Sequence, residues 1–147
     1  MPDSVRTIGN YAFSGTSSLE YIRMPRELDG SIGQNTFKNC SSLRSIRIPV
    51  GIERIETEAF YGCTSLTGVE LASSVSSIAA GAFGGCSALA KLICHGDEPV
   101  CDYRDTVPAM VSFAGVGNMI VYIKAGTDWR LVKSMWYPNG TGPEYVG

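Results

Sequence analysis

Four columns of apolar residues recur along this chain with one common spacing. Phe13, Phe37, Phe60 and Phe83 stand 24, 23 and 23 residues apart. Three further columns keep the same steps: Leu19, Leu43, Leu66 and Leu89; Ile22, Ile46, Val69 and Leu92; and Ile8, Ile32, Ile55 and Ile78. One repeat of this length cannot bury its apolar residues alone, whereas stacked repeats share a continuous core. The spacing therefore predicts a solenoid of about four 23-residue coils.

Each coil has the same internal order, which residues 43–65 illustrate. The stretch LRSIRIP (43–49) is short and rich in β-branched residues, which predicts a strand that the proline ends. A second extended piece, IERI (52–55), and a single helical turn, TEAF (57–60), follow it. After each turn stands a residue that tolerates positive φ: Gly15, Asn39, Gly62 and Gly85. We expect a mainly β fold with short helical turns.

The first coil contains one residue more than the others. The extra residue lies between Met24 and Ile32. We expect a bulge at this corner, with Gly30 absorbing the strain.

The start of the chain falls inside the repeat pattern. Met1-Pro2 aligns with Met24-Pro25, so the chain enters after the point where a first strand would lie. We interpret Met1 as a point within a longer array. If it is the natural start, the strand expected over 19–25 has an open edge that a partner or a second copy covers.

The bulk composition limits the functions that are open to this chain. Its 147 residues suit one domain with a small appendage, and its formal net charge of −2 gives no general attraction to nucleic acid. No window approaches the ~18 apolar residues of a membrane-spanning helix, and no secretion signal is visible. The sequence contains no acid–base pair, metal-ligand set or nucleophile constellation. We therefore expect no catalytic residue, no metal and no cofactor.

The cysteines form a column of their own. Cys40, Cys63 and Cys86 place one thiol in each coil, which suggests either a metal or redox ladder or small side chains that fill a corner. We favour the second interpretation, because metal ligands of several residue types usually converge on one point. A disulfide between Cys94 and Cys101 would join the last coil to the tail in an oxidising compartment, and the sequence leaves that pairing open.

The repeat resembles the BspA-like leucine-rich repeat family. The family pattern is roughly L-x-x-I-x-I-P-x-x-V-x-x-I-G-x-x-A-F-x-G-C, and residues 43–65, LRSIRIPVGIERIETEAFYGCTS, fit it with Glu56 in place of one glycine. The resemblance covers about residues 1–94. Thr16 replaces the expected cysteine in the first coil, and Thr36 replaces the expected alanine in the second.

The tail also resembles the terminal segment of this family, although Lys124 replaces an expected proline. The stretch MIVYI (119–123) predicts a strand, and Thr127 or Asp128 can cap a helix that runs to about Trp136. We therefore expect a solenoid over 1–94 and a strand-plus-helix capping segment over 95–147. We interpret His95, at the start of this segment, as a loop histidine.

The resemblance implies a non-enzymatic protein of the cell surface or the extracellular space that adheres to host matrix proteins or to neighbouring cells. The contact surface would be the outward face of the main sheet, because a solenoid presents such positions as an array, and Tyr and Arg are enriched at binding hot spots. An ordinary solvated face is the alternative. The candidate residues are Glu20, Tyr21, Arg23, Arg44, Ser45, Arg47, Thr67, Glu70 and Lys91.

A second hypothesis is structural. The chain would then be one end of a longer array, or would associate with itself through its N-terminal edge.

Overall fold

Stacked coils form the protein in the computed structural model, and two sheets pair each coil with the next. The structure describes residues 1–96, 100–101, 113, 115–116, 119–125, 128–134 and 144–145. Among these, the strands in chain order are β1 (Gly30–Ile32), β2 (Ser45–Ile48), β3 (Ile52–Ile55), β4 (Gly68–Leu71), β5 (Ser77–Ile78), β6 (Lys91–Cys94), β7 (Val100–Cys101), β8 (Met119–Ala125), β9 (Asp128–Ser134) and β10 (Glu144–Tyr145).

The six-stranded sheet, called the main sheet below, has the order β10-β9-β8-β6-β4-β2, and the second sheet has the order β1-β3-β5-β7. Strands β2, β4, β6 and β8 pair in parallel, with Ile46 opposite Val69, Val69 opposite Leu92, and Leu92 opposite Val121. Residues one repeat apart therefore lie side by side, which confirms the predicted repeat solenoid.

The predicted apolar columns form the core. Phe37, Phe60 and Phe83 are fully buried. Their rings stack nearly parallel with centroids 5.1 Å apart, and Phe13 stacks on Phe37 at the same distance. Phe113 continues the stack at 5.2 Å from Phe83, although it lies outside the regular sequence spacing. Stacked aromatic rings of this kind contribute about 0.5–1.5 kcal/mol per pair beyond the area that they bury.

The corners after the second sheet are hydrogen-bonded turns, whereas a helical turn was predicted. In the turn over 57–62, the amides of Ala59 and Tyr61 donate to carbonyls three residues back. The amides of Phe60 and Gly62 instead donate to the next coil, to the carbonyls of Ala82 and Gly84, at 2.7 and 2.8 Å. Bonding to the neighbouring coil replaces the intrahelical bonds, so no helix forms here.

The predicted exits from these turns are correct. Gly15, Asn39, Gly62 and Gly85 have φ of 74°, 59°, 72° and 69°. A second column with positive φ was not predicted: Tyr11, Asn35, Glu58 and Gly81. A register shift between Gly30 and Ser31 and a φ of 88° at Gly30 lie where the bulge was predicted. Gly30 pairs with Ile52 and Ser31 with Arg54, so the residue left without a partner at this shift is Glu53 of β3 and not the expected extra residue between Met24 and Ile32.

The cysteine column is buried, as the packing interpretation predicted. Cys40, Cys63 and Cys86 have no exposed surface and carry free thiols. Each S–H group donates to the phenylalanine carbonyl of the preceding coil at 3.1 Å; the acceptors are Phe13, Phe37 and Phe60. The thiols therefore tie neighbouring coils together. The Cys94–Cys101 pairing remains untested, since the side chain of Cys101 is outside the described structure.

The predicted capping helix from residue 127 or 128 to about Trp136 is wrong over residues 128–134, which form β9. This strand pairs antiparallel with β8, and Ala125 lies opposite Asp128. Two residues therefore connect the strands, which is the length that hairpins favour. The outer edge of β8 would otherwise carry unpaired backbone groups, so pairing overrides the local helix signals. Residues 135 and 136 are outside the described structure.

The strand expected over 19–25 is also not formed. Within the described chain, this segment shares one backbone hydrogen bond with the neighbouring segment 43–49, from the amide of Arg44, one residue before β2, to the Glu20 carbonyl. Strand β2 is accordingly the edge of the main sheet. At the other end, β7 and β8 continue the pairing of both sheets beyond Cys94. The division between a solenoid over 1–94 and a capping segment over 95–147 stays a prediction.

The buried thiols make stability depend on pH. Burial raises the pKa of Cys40 to about 11, and the Cys86 thiol together with burial raises the pKa of Cys63. Thiols in the unfolded chain ionise near pH 8.5. Because the folded pKa values are the higher ones, this contribution is complete below about pH 8.5 and is lost as the pH rises toward about 11.

We expect the free energy of unfolding, measured in urea under reducing conditions, to fall over this alkaline range. We expect the free energy of unfolding of the Cys40→Ala/Cys63→Ala variant to fall less over this range than that of the unmodified protein, when each protein is referred to its own value at neutral pH. Equal slopes for the two proteins would show that the buried thiols do not control the alkaline instability.

Candidate functional site

The outward face of the main sheet carries two rows of side chains, because residues along a strand alternate between its two faces. Ile46 and Ile48 point into the core, and their neighbours point to solvent. The register places the first row as Ser45, Gly68, Lys91 and Ile120. The second row consists of Arg47, Glu70, Ile93 and Tyr122. We call these two rows the sheet face.

A carboxylate between two basic side chains occupies the centre of the sheet face. Glu70 Oε1 lies 2.6 Å from His95 Nε2 and 3.5 Å from Arg47 Nε. Glu70 and His95 are each about one-third exposed, whereas Arg47 is three-quarters exposed. Exposed ion pairs contribute only about 0–1 kcal/mol to stability. The cluster therefore orients polar groups at the surface more than it holds the fold together.

His95 was interpreted from the sequence as a loop histidine, and its contact with Glu70 was missed. It follows β6 directly, at the repeat position that Pro49 and Ala72 occupy in earlier coils. Extending the 23-residue register past Cys94 would have placed it next to β4. Ile120 and Tyr122, the outward residues of the predicted strand MIVYI, lie 29 residues after their partners Lys91 and Ile93, so the 23-residue register did not reach them.

The far end of the sheet face is aromatic and apolar. The Lys91 ammonium lies over the Tyr122 ring, 5.2 Å from its centroid, which is a cation–π geometry. Ile120 is 45% exposed in the neighbouring row. This end can contact apolar groups of a partner, whereas the Glu70 cluster offers charge and hydrogen bonds.

A notch lies between these two parts. A side chain at Gly68 would meet nothing within 4 Å. The resulting cavity has a volume of about 220 Å³, and its walls include Arg47, Glu70, Lys91 and Ile93. Glycine therefore leaves room for a protruding group in the middle of the sheet face.

The nine predicted residues do not form one surface. Ser45, Arg47, Glu70 and Lys91 belong to the sheet face. Glu20, Arg44 and Thr67 line a separate polar cavity of about 280 Å³ at the strand starts, where Glu20 Oε2 lies 3.4 Å from Arg44 Nε.

The two remaining candidates lie in the first coil. Tyr21 is 64% exposed, and Arg23 forms an ion pair of 3.0 Å with Asp3. All nine side chains are at least partly accessible.

Among the described residues, no group of three or more His, Cys, Asp or Glu side chains could hold a metal ion. No helix in the described part of the chain combines the length and hydrophobicity that crossing a membrane requires.

Comparisons with known proteins agree with this architecture. Residues 1–98 match the family model described as BspA type leucine rich repeat region (6 copies). The crystal structure of a leucine-rich repeat protein from Bacteroides ovatus is similar, with 34% sequence identity and a TM-score of 0.56 over 59% of this chain. The chain spans 22% of the length of that protein. No curated protein matches the sequence.

The open notch predicts the effect of filling it. Glycine in a strand costs about 0.5–1 kcal/mol relative to alanine, so Gly68→Ala should raise the free energy of unfolding by about this amount in urea titrations. Gly51→Ala is the contrasting variant, because its Cβ would lie 2.0 Å from the Leu28 carbonyl oxygen at a φ of 96°. That change should destabilise the protein. Destabilisation by Gly68→Ala would mean that the notch is not open.

Proposed function

The chain belongs to the BspA-type leucine-rich repeat family, and we propose that it is a non-enzymatic adhesion module that binds a protein partner through its sheet face. Leucine-rich repeats suggest protein interaction in general terms. The finer assignment, adhesion to matrix proteins or neighbouring cells from an extracellular or cell-surface position, comes from the resemblance to this family. The chain spans only 22% of the length of the Bacteroides ovatus protein to which it is similar.

The sheet face is the observation that carries the proposal. It combines exposed cations, an oriented carboxylate and aromatic and apolar side chains on paired strands. A rigid array of this kind can make several contacts at once without the entropy loss of ordering a loop. Arg and Tyr, which the face contains at Arg47 and Tyr122, are enriched among residues that dominate binding energy.

The structural alternative also has an observation in its favour. Ile8, Phe13, Leu19 and Ile22 in the first coil are only partly buried, whereas Ile32 and Phe37 in the second are fully buried. The N-terminal end of the stack could therefore receive a further coil or a second copy. A molecular mass that rises with concentration in light scattering would favour self-association through this edge.

The test of adhesion uses binding to immobilised extracellular-matrix proteins, measured by surface plasmon resonance. We expect Tyr21→Ala/Lys91→Ala to weaken binding at least about tenfold, which is about 1.4 kcal/mol. Lys91 belongs to the sheet face and contacts the Tyr122 ring. Tyr21 is exposed in the first coil, at the repeat position that Ser45 occupies in the second.

The matched control is Tyr11→Ala/Lys38→Ala. Tyr11 is 60% exposed, close to the value for Tyr21, and Lys38 lies 5.2 Å from the Tyr61 ring, as Lys91 does from Tyr122. The control should retain affinity. Equal losses in both variants would refute the sheet face as the contact surface, and the absence of binding to any matrix protein would refute adhesion to the matrix.

A further inference from the structure

A cleft of about 700 Å³ lies at the C-terminal ends of the main-sheet strands, beside the sheet face. Its walls come from the first coil, from the end of β2 and from the residues that follow β4 and β6. Met24 and Ile48, both buried, form part of the apolar lining together with Pro49. Arg23, Arg26 and Arg47 provide its charged groups.

The cleft exists because the first coil separates from β2. Arg44, one residue before β2, donates to the Glu20 carbonyl, and the described backbone forms no bond between 19–25 and β2 itself. Pro25 and Pro49 stand at the equivalent position of each coil and have no N–H group for continued pairing. A gap therefore opens toward the strand ends.

The charge of the cleft is opposite to that of the whole chain. The chain has a formal net charge of −2, yet three arginines line the cleft, and no carboxylate does so among the described residues. Two carboxylates lie at its border. Asp3 lies 3.0 Å from Arg23 and 3.8 Å from Arg26, and Glu70 lies 3.5 Å from Arg47.

These border contacts leave the guanidinium groups able to bind an anion. Each guanidinium has five N–H donors, and the pairs of Arg26 and Arg47 are longer than hydrogen bonds. The three arginine side chains are 65%, 81% and 75% exposed. Ion pairs at such exposure contribute little, so a ligand carboxylate can replace or supplement them at small cost.

We propose that this cleft binds an extended acidic segment of the protein partner. Carboxylates of the segment contact Arg23, Arg26 and Arg47, and its apolar side chains pack on Met24 and Pro49. The inference rests on the proposed function, because it names the chemistry of one part of the partner. The cleft shares Arg47 with the sheet face, but Tyr21 and Lys91 do not line it.

The extent of the cleft favours a peptide over a small anion. Arg23 and Arg26 belong to the first coil, Arg47 belongs to the second, and His95 follows the fourth. Neighbouring strands lie about 4.8 Å apart, so these groups extend over about 14 Å, and one carboxylate cannot contact them all. An extended peptide advances about 3.3 Å per residue. About four residues would cross the cleft, and both charged and apolar side chains would find contacts.

The experiment measures fluorescence anisotropy of a short fluorescein-labelled peptide in which glutamate and leucine alternate. The same peptide with glutamine in place of glutamate tests the need for carboxylates, and a labelled single-stranded oligonucleotide tests for a general polyanion site. We expect binding of the glutamate peptide alone, weakened by added salt because exposed charges are screened.

The variant Arg26→Gln/Arg47→Gln should lower the affinity at least about tenfold, because each arginine loses charge-assisted hydrogen bonds. Arg6→Gln is the control. Arg6 pairs with Glu27 and is 54% exposed, but it does not line the cleft. It should bind the peptide as the unmodified chain does. Circular dichroism checks that each variant is folded.

Several results would overturn the proposal: no binding of the glutamate peptide, equal binding of the glutamine peptide, tighter binding of the oligonucleotide, or equal losses in Arg6→Gln.

The Tyr21→Ala/Lys91→Ala variant separates failure of the cleft assignment from failure of the proposed function. If the peptide does not bind, but the Tyr21→Ala/Lys91→Ala variant binds the matrix protein more weakly than the unmodified chain, the cleft assignment is wrong and the adhesion proposal stands. If the peptide binds and no matrix protein does, the adhesion proposal fails and the cleft assignment stands.

Discussion

Contact between neighbouring coils is the interaction on which this structure depends. Half of the amides in a corner such as 57–62 donate to the next coil and not to their own. The phenylalanine rings stack from coil to coil at 5.1 Å, and the Cys40, Cys63 and Cys86 thiols donate across the same boundary. A repeat protein is stabilised mainly through such nearest-neighbour terms. The interior side chains therefore serve to hold neighbouring coils together, and the side chains that a partner could contact lie at the surface.

The same stacking builds the candidate sites. A constant repeat length places residues from different coils side by side, so Arg47, Glu70 and His95 form one cluster although they come from three coils. Each coil can change its outward residue without changing its core, which explains how charge, an aromatic ring and a glycine notch occur on one sheet. Where the first coil stops pairing with β2, the stack opens, and the cationic cleft lies in that opening.

The sequence predicted those features that depend on the period and on local backbone chemistry. The four apolar columns, the turn exits such as Asn39 and the special backbone conformation of Gly30 are of this kind. Features decided by distant pairing were missed. Residues 128–134 form a strand because β8 offers an edge for pairing. The 19–25 segment forms no strand, so β2 pairs on one side only, with β4. The Glu70–His95 contact could be predicted only by extending the repeat register past the last regular coil. The cleft could not be predicted, because it depends on the separation of the 19–25 backbone from β2.

The free energies of unfolding of Phe60→Ala and Phe13→Ala test the central role of stacking most directly. Phe60 is fully buried between Phe37 and Phe83, whereas Phe13 is partly exposed and stacks on Phe37 at the end of the stack. Loss of a buried phenylalanine side chain costs about 3–5 kcal/mol. We predict a cost in this range for Phe60→Ala and about half of it or less for Phe13→Ala. Equal costs at the two positions would contradict stabilisation by neighbouring coils.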